Sequence, residues 1–451
     1  MDEKAEGNRM NGAQRPLRIG LAGLGTVGCG VIRLLDANRA LIEARAGRQL
    51  QITAVSARDR TRDRGVDLSA FAFESDMTAL AERDDVDVVI EAAGGSDGPA
   101  LELAGATLGA GKGLVTANKA MVAHHGLELA ERAAQSGAAL RFEAAVAGGI
   151  PVIKGLREGA AANSIDRIYG ILNGTCNYIL TRMESTGADF ADALAEAQEL
   201  GFAEADPSFD IEGVDAAHKL AILAAIGFGA KVDFNGVAIS GITQVSAADI
   251  SQAKALGFVI RLVGVADCDD PQNGTGRSAL LQRVRPCLVP LDHPLANVSG
   301  PTNAVVAEGN FVGRLLFQGA GAGAGPTASA IVADLIDLAR GDAGPPFSLP
   351  VAELEAMDRA DPGGRTGRDY IRFTVTDRPG VLAEITAAMR DAGVSIESLI
   401  QRGRAKESGG EVLLAMVTHE GPERCVAEAL ALLEGSPSLT SAPLVLPILR
   451  D

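Results

Sequence analysis

The chain has 451 residues and carries 41 Lys and Arg against 58 Asp and Glu, a net charge of −17. That balance excludes a non-specific nucleic-acid binder, no apolar run nears the ~20 residues of a membrane span, and no secretory core follows Met1. The length admits two to four domains at roughly 100–200 residues each, and five scattered cysteines without a C-x-x-C pair indicate neither zinc nor a disulfide framework, so a cytoplasmic protein is expected.

Residues 1–16 are polar and patternless and read as a disordered arm. Leu17 to Ala22 is a short apolar strand that runs into Gly23-Leu-Gly25-Thr-Val-Gly28 and then a helical pattern. This is G-x-G-x-x-G between strand and helix. Gly23 permits the tight turn, Gly25 lets a pyrophosphate approach the backbone, and Gly28 lets helix and strand pack closely. The helix start offers free N–H groups to the phosphates. Leu50 to Ser56 is the second strand. Where a ribose-binding carboxylate would follow, the chain reads Ala57-Arg58-Asp59, and Arg58 suits the 2′-phosphate of NADP, with NAD the alternative. The alternative for this stretch is a solvated loop, since Arg60, Arg62 and Arg64 follow.

Val86 to Glu91 is a buried strand, and Leu114 leads through Thr116, Ala117 and Asn118 to Lys119. Lys119 thus sits at the carboxyl end of a parallel strand, where ligands bind in doubly wound sheets, and a lysine in a cleft can carry protons. His124 and His125 lack metal-ligand spacing and read as helix surface. Leu140 to Val146 is expected to be another strand, with Pro151 in the first turn of a helix. Ile165 to Leu172 is a strand leading to Asn173-Gly174-Thr175, whose small residues leave room for a ligand and offer N–H groups.

Gly201 to Lys219 concentrates Glu204, Asp206, Asp210, Glu212, Asp215 and Lys219 just before an apolar helical run. Gly213 opens the helix. Asp215 and Lys219, four apart, share one face, and the apolar neighbours of Lys219 turn that face inward. Gly319 to Gly325 alternates Gly and Ala before Pro326, with a helix from Thr327; it reads as backbone approaching a ligand. Residues 341–368 read as a linker. Asp369 to Pro447 reads as a β-α-β-β-α-β unit with helices Val381–Asp391 and Glu423–Leu433 and no acid–base cluster, hence a sensor or dimerisation module.

Together these stretches resemble monofunctional homoserine dehydrogenase with a C-terminal ACT domain. The likeness runs from Leu17 onward and rests on Gly23–Gly28, Thr116–Ala120, Glu143–Pro151, Asn173–Tyr178, Gly201–Lys219 and Gly319–Ala330, in that order. It implies an α/β fold: a Rossmann-like doubly wound parallel sheet (17–150 plus a return helix within 319–341), an α+β substrate and dimerisation domain (151–318), a linker (342–368) and a ferredoxin-like ACT domain (369–451).

The resemblance further implies reversible hydride transfer between L-homoserine and L-aspartate 4-semialdehyde, in threonine, methionine and isoleucine biosynthesis. Lys119 and Lys219 would flank the reacting carbon. Gly174, Thr175, Glu204, Asp210 and Asp215 would hold the substrate, with Glu204 on its ammonium group. Thr26, Val27, Thr116 and Gly325 would join the three glycines and Arg58 around the cofactor. Glu143, Val146, Gly148 and Ile150 match the family's loop for a monovalent cation such as sodium. Asp377, Gly380, Val381 and Leu382 match the ACT loop that cradles a free amino acid, with threonine the expected effector. A homodimer or homotetramer without nucleic-acid or membrane partners is expected. Two other readings compete: a non-catalytic amino-acid sensor on a nucleotide-binding scaffold, and a dehydrogenase of another small amino or hydroxy acid.

Overall fold

A computed structural model describes residues 15–269, 279–342, 344–402 and 410–450; all but the last two residues of the expected N-terminal arm lie outside that range. The chain forms two compact units, one of residues 1–154 with 322–353, the other of residues 155–321 with 354–451.

The first unit is built on six parallel strands: β1 (Leu17–Ala22), β2 (Leu50–Ser56), β3 (Ala72–Glu74), β4 (Val88–Glu91), β5 (Gly113–Thr116) and β6 (Leu140–Arg141). Their order is β3-β2-β1-β4-β5-β6. β1 pairs with both β2 and β4, so the winding reverses at its carboxyl end, the place where such sheets bind ligands. Ile19, Leu21, Val55 and Ile90 are fully buried there against helices Thr26–Ala37 and Ala324–Arg340. The strand expected over 140–146 is shorter. It stops at Arg141 and continues as a 3-10 turn, Glu143–Ala145, because Asp334 Oδ2 accepts the Glu143 N–H at 2.9 Å and draws the backbone off the ladder. The return helix begins at Ala324 rather than Thr327; Pro326 falls in its first turn, where a missing N–H costs nothing.

The second unit carries a seven-stranded sheet. Its strands are β7 (Ile165–Ile171), β8 (Val237–Ile239), β9 (Phe258–Asp269), β10 (Ala279–Pro290), β11 (Thr302–Gly309), β12 (Gly313–Ala320) and β13 (Asp358–Arg359). They are ordered β12-β11-β7-β9-β10-β13, with β8 on β10. Helix Val214–Phe228 packs on β7, β9 and β10 and is buried from Asp215 to Ile226. After β14 (Thr366–Gly367) come β15 (Asp369–Thr376), β16 (Ile396–Arg402), β17 (Glu411–Thr418), β18 (Gly421–Pro422) and β19 (Leu444–Pro447). The sheet β16-β17-β15-β19 with helices Val381–Asp391 and Glu423–Leu432 is the βαββαβ module.

That module is not strung on a loose tether. β13, within the stretch read as linker, extends the seven-stranded sheet, and β14 pairs with β18. Tyr370 on β15 is fully buried, its hydroxyl 2.7 Å from Gln252 Oε1 and 3.0 Å from Asp249 Oδ1 on helix Ala247–Ala255. Arg372 Nη1 reaches Asp249 Oδ2 at 2.6 Å. Among the described residues no helix is long and apolar enough to cross a membrane.

Candidate active site

In the first unit the glycine turn follows β1 directly. Gly23 has φ 95°, and a Cβ there would lie 2.6 Å from the Ala92 carbonyl oxygen. A Cβ on Gly28 would lie 2.0 Å from the Gly23 oxygen, so neither position accepts a side chain. At Gly25 a Cβ would meet nothing within 4 Å. Gly25 also caps helix Thr26–Ala37 without a side chain, which leaves the helix start open to an anion. This cradle fits a dinucleotide pyrophosphate. Thr26 is exposed beside it, while Val27 packs partly on the core. Gly325 is exposed in the first turn of the return helix. Arg58 is exposed two residues beyond β2. Of the arginines read as a solvated loop, Arg64 is not one: its Nε donates to the Leu24 carbonyl at 3.1 Å and its Nη2 to the Asp59 carbonyl at 2.5 Å, folding the loop against the glycine turn.

Lys119 is the first residue of helix Lys119–Ser136 and is half-buried. Its position depends on two residues the sequence reading did not single out. Asn118 caps the helix through Met121 N (3.1 Å) and donates to the Gly95 carbonyl (2.6 Å). Glu91, fully buried at the end of β4, accepts from Ala93 N (2.8 Å), Gly94 N (2.9 Å) and the Thr116 hydroxyl (2.6 Å). The Thr116 hydroxyl is thereby committed inside the protein, where it also accepts from Asn118 N at 3.0 Å. His124 is exposed, and His125 pairs with Asp97 at 2.8 Å.

In the loop matched to a cation site, Ala147 and Gly148 both have φ 55°. The Glu143 side chain is not a free ligand: its oxygens accept from Ile153 N (3.0 Å) and Lys154 N (2.8 Å). Burial, then the Asp334 charge, pushes its carboxyl up to about 7. The Glu143 and Ile150 carbonyls accept from Val146 N (3.4 Å) and Val152 N (2.8 Å). Among the described residues those of Val146 and Gly148 accept no hydrogen bond. Two free carbonyls on a reversed turn fit a hard monovalent cation in donor type.

The second unit builds its polar centre where β7 ends and helices Gly174–Thr186 and Val214–Phe228 begin. Lys219, 8% exposed, donates to Asp215 Oδ2 and to the Leu172 carbonyl, each at 2.7 Å. Asn173 accepts from Cys176 N at 2.7 Å, capping its helix, while its amide donates to Asp210 Oδ1 (2.7 Å) and Asp215 Oδ2 (2.9 Å). The buried Cys176 thiol donates to the Asp210 carbonyl at 3.1 Å. Burial, then the Asp215 charge, holds Asp210 above the usual carboxylate range, and burial raises the Cys176 thiol well above its ordinary value.

Asp210, Asp215 and Lys219 are thus brought together, and Thr175 joins them, its hydroxyl 2.7 Å from the Phe202 carbonyl and 3.2 Å from Asp210 Oδ2. Gly174 has a packing reason of its own: a Cβ would lie 2.8 Å from the Pro301 oxygen. Glu204 stays exposed on its loop, and its carboxylate makes no hydrogen bond among the described residues. Asn303 was missed. It is buried on β11 and donates to the Leu172 carbonyl at 2.7 Å, sharing that acceptor with Lys219. A lone Asn before Ala-Val-Val-Ala was the only signal for it.

In the βαββαβ module the loop after β15 carries Asp377, whose N–H bonds the Gly410 carbonyl at 2.8 Å. Gly380, at φ 98°, caps helix Val381–Asp391. The Val381 side chain is in the module's core and Leu382 is exposed, so of the two only Leu382 presents a side chain outward.

Comparison with known proteins finds three family matches along the chain. Residues 23–143 match the homoserine dehydrogenase NAD-binding domain, 151–336 the homoserine dehydrogenase domain and 370–431 the ACT domain. The homoserine dehydrogenase of Pseudomonas aeruginosa is 41% identical over 93% of this chain and 96% of its own. That of Neisseria gonorrhoeae is 43% identical over 93% and 95%. The crystal structure of a homoserine dehydrogenase from Thiobacillus denitrificans superposes with a TM-score of 0.89 at 39% identity, covering 97% of this chain and 99% of that one. The chain therefore belongs to the homoserine dehydrogenase family, enzymes of amino-acid biosynthesis that interconvert L-homoserine and L-aspartate 4-semialdehyde with a nicotinamide cofactor, and it carries an ACT domain.

Proposed function

We propose that Lys219 polarises the substrate carbonyl and that Lys119 carries the proton. The observation behind the first assignment is the fixed ammonium of Lys219. An ammonium has three N–H donors; Asp215 and the Leu172 carbonyl take two. The third is left for a carbonyl oxygen, and a cation held there stabilises the alkoxide that develops on reduction. The nicotinamide, when bound, supplies or takes up the hydride. Lys119 is given the proton because it opens a helix at the carboxyl end of β5, on a turn held rigid by Glu91 and Asn118. Asp210 and Asp215, with the backbone N–H groups of Gly174 and Thr175, line the substrate site, and exposed Glu204 takes the substrate ammonium.

NADP is the proposed cofactor, with Arg58 on the 2′-phosphate. Supporting it, a hyperthermophilic archaeal homoserine dehydrogenase, 26% identical with a TM-score of 0.61, is described in complex with NADPH. The Val146 and Gly148 carbonyls, with those of Glu143 and Ile150, would hold a monovalent cation such as sodium. Threonine is the proposed effector at Asp377, Gly380, Val381 and Leu382 of the ACT domain. A homodimer or homotetramer in the cytoplasm is the proposed form: β12 is an edge strand, and it and the turn before it expose three large apolar side chains, Phe311 (91%), Val312 and Leu316. The test is to assay homoserine oxidation with NADP and NAD side by side, in the wild type and in Lys119→Ala and Lys219→Ala. Near-normal kcat in both variants would refute the lysine roles, and equal kcat/KM with the two cofactors would refute the NADP preference.

A further inference from the structure

β7, β9 and β10 turn one charged face toward the ACT module and the C-terminal tail. Period-2 alternation puts Arg283, Arg285 and Cys287 on that face of β10, with Asp267 on β9 and Arg167 opposite it on β7. A cavity of about 40 Å³ opens there, lined by six arginine residues (Arg167, Arg283, Arg285, Arg365, Arg368 and Arg450) and two acidic ones, Asp267 and Glu423. In a chain of net charge −17 this is an anomalous concentration of positive charge. It is partly withdrawn from solvent: the Arg167, Arg283 and Arg365 side chains are 14%, 15% and 13% exposed, those of Arg285 and Arg368 24% and 36%.

The two carboxylates are already shared, Arg368 is paired besides with Glu397, and the charges of Arg285 and Arg283 act on the buried Asp369 close by. Glu423 takes Arg283 in a two-pronged pair at 2.8 Å on each arm, and Arg285 reaches it only at 3.3 and 3.4 Å. Asp267 serves both Arg167 (3.0 Å) and Arg365 (2.7 Å). The Nε–H groups of Arg285 and Arg368 are buried and, among the described residues, have no hydrogen-bond partner. Excess charge out of water is costly unless a counter-charge meets it with good geometry. The cavity has space for roughly three waters at ~10–15 Å³ each, or for one small anion in their place.

We propose that this cavity binds a small oxyanion, a phosphate or carboxylate group, held by Arg285 and Arg368 with the surrounding guanidiniums. Guanidinium forks match such oxygens in pairs. The site lies outside the polar centre around Lys219 and outside the Asp377–Leu382 loop. Its lining comes from β7 and β10, the 365–368 connection, the start of helix Glu423–Leu432 and the tail at 447–450. A bound anion therefore clamps the ACT module to the sheet beneath it.

The experiment is thermal melting of the full-length protein, saturated with NADP so that the cofactor cradle is filled, in rising inorganic phosphate or acetate at ionic strength held constant with sodium chloride. Wild type and Arg62→Met, altered in the exposed 59–64 loop, should melt roughly 2–4 °C higher at saturation. Arg285→Met and Arg368→Met should each weaken the half-saturating concentration by roughly tenfold or more, the weight of one hydrogen bond to a charged group. A shift with phosphate alone identifies a phosphate site, and one with acetate alone a carboxylate site. Should Arg285→Met fail to fold, the more exposed Arg368→Met decides. No shift with either anion, or the same shift and midpoint in Arg368→Met as in wild type, overturns the proposal.

Discussion

A single carboxylate oxygen, Asp215 Oδ2, accepts from Lys219 Nζ at 2.7 Å and from Asn173 Nδ2 at 2.9 Å. Asp215 and Lys219 are one helical turn apart on the same buried face, 4% and 8% exposed. The pair is therefore a positioned cation, unlike an exposed i,i+4 pair worth only ~0.2–0.5 kcal/mol.

Removing the cation should separate activity from stability. Lys219→Met should lower kcat by about 10²–10³-fold, the usual effect of losing one donor to a developing oxyanion, and should destabilise by ~3–5 kcal/mol because Asp215 stays buried without its partner. Adding Asp215→Asn should recover much of that stability and none of the turnover. Urea denaturation and steady-state kinetics on the single and double variants provide the check.

The proposed NADP preference rests on one side chain, Arg58. Arg58→Ala should lower kcat/KM for NADP by roughly tenfold or more, one charged contact, and leave NAD within about twofold. Steady-state kinetics with both cofactors measure it, and an equal loss with each would mean that Arg58 only shapes the loop.

Asp369 gives stability a pH dependence. Burial pushes its carboxyl from 3.8 to about 6, against the pull of Arg285 and Arg283. A carboxyl with a raised folded-state value contributes fully below its unfolded value and loses that contribution as pH rises through the folded one. Wild type should therefore lose stability relative to Asp369→Asn between about pH 4 and 6, by roughly 2–3 kcal/mol at most, with the difference constant above that window. Denaturation midpoints of the two proteins from pH 4 to 8 show whether the gap opens in that direction.

Tyr370→Phe should destabilise by about 1–3 kcal/mol, because Gln252 and Asp249 would keep buried acceptors without their donor. Chemical denaturation reads the loss, and a change below about 0.5 kcal/mol, the level of an ordinary surface substitution, would show that the contact does not hold the module in place.

Gly380→Val should blunt threonine inhibition by roughly tenfold with kcat unchanged, since a β-branched residue resists the φ of 98° that shapes the loop at its helix start. Inhibition curves compare it with wild type; an unaltered threonine response would remove this loop from effector binding.

Local rules made much of the molecule legible in advance. The glycine turn, the strand Leu50–Ser56 and the helix Val381–Asp391 fall where periodicity and turn chemistry put them, because each is decided by neighbours within a few residues. The i,i+4 spacing likewise announced the Asp215–Lys219 pair. The sequence could not show that Asn303, about eighty residues from Lys219, shares the Leu172 carbonyl with it, or that Glu91 fastens Thr116. Nor could it show that Asp334 ends β6 early, or that residues read as a linker add a strand to the main sheet. Those outcomes belong to the tertiary structure, since a buried donor or acceptor takes whichever partner the fold brings within 3 Å, and separation along the chain does not constrain that choice.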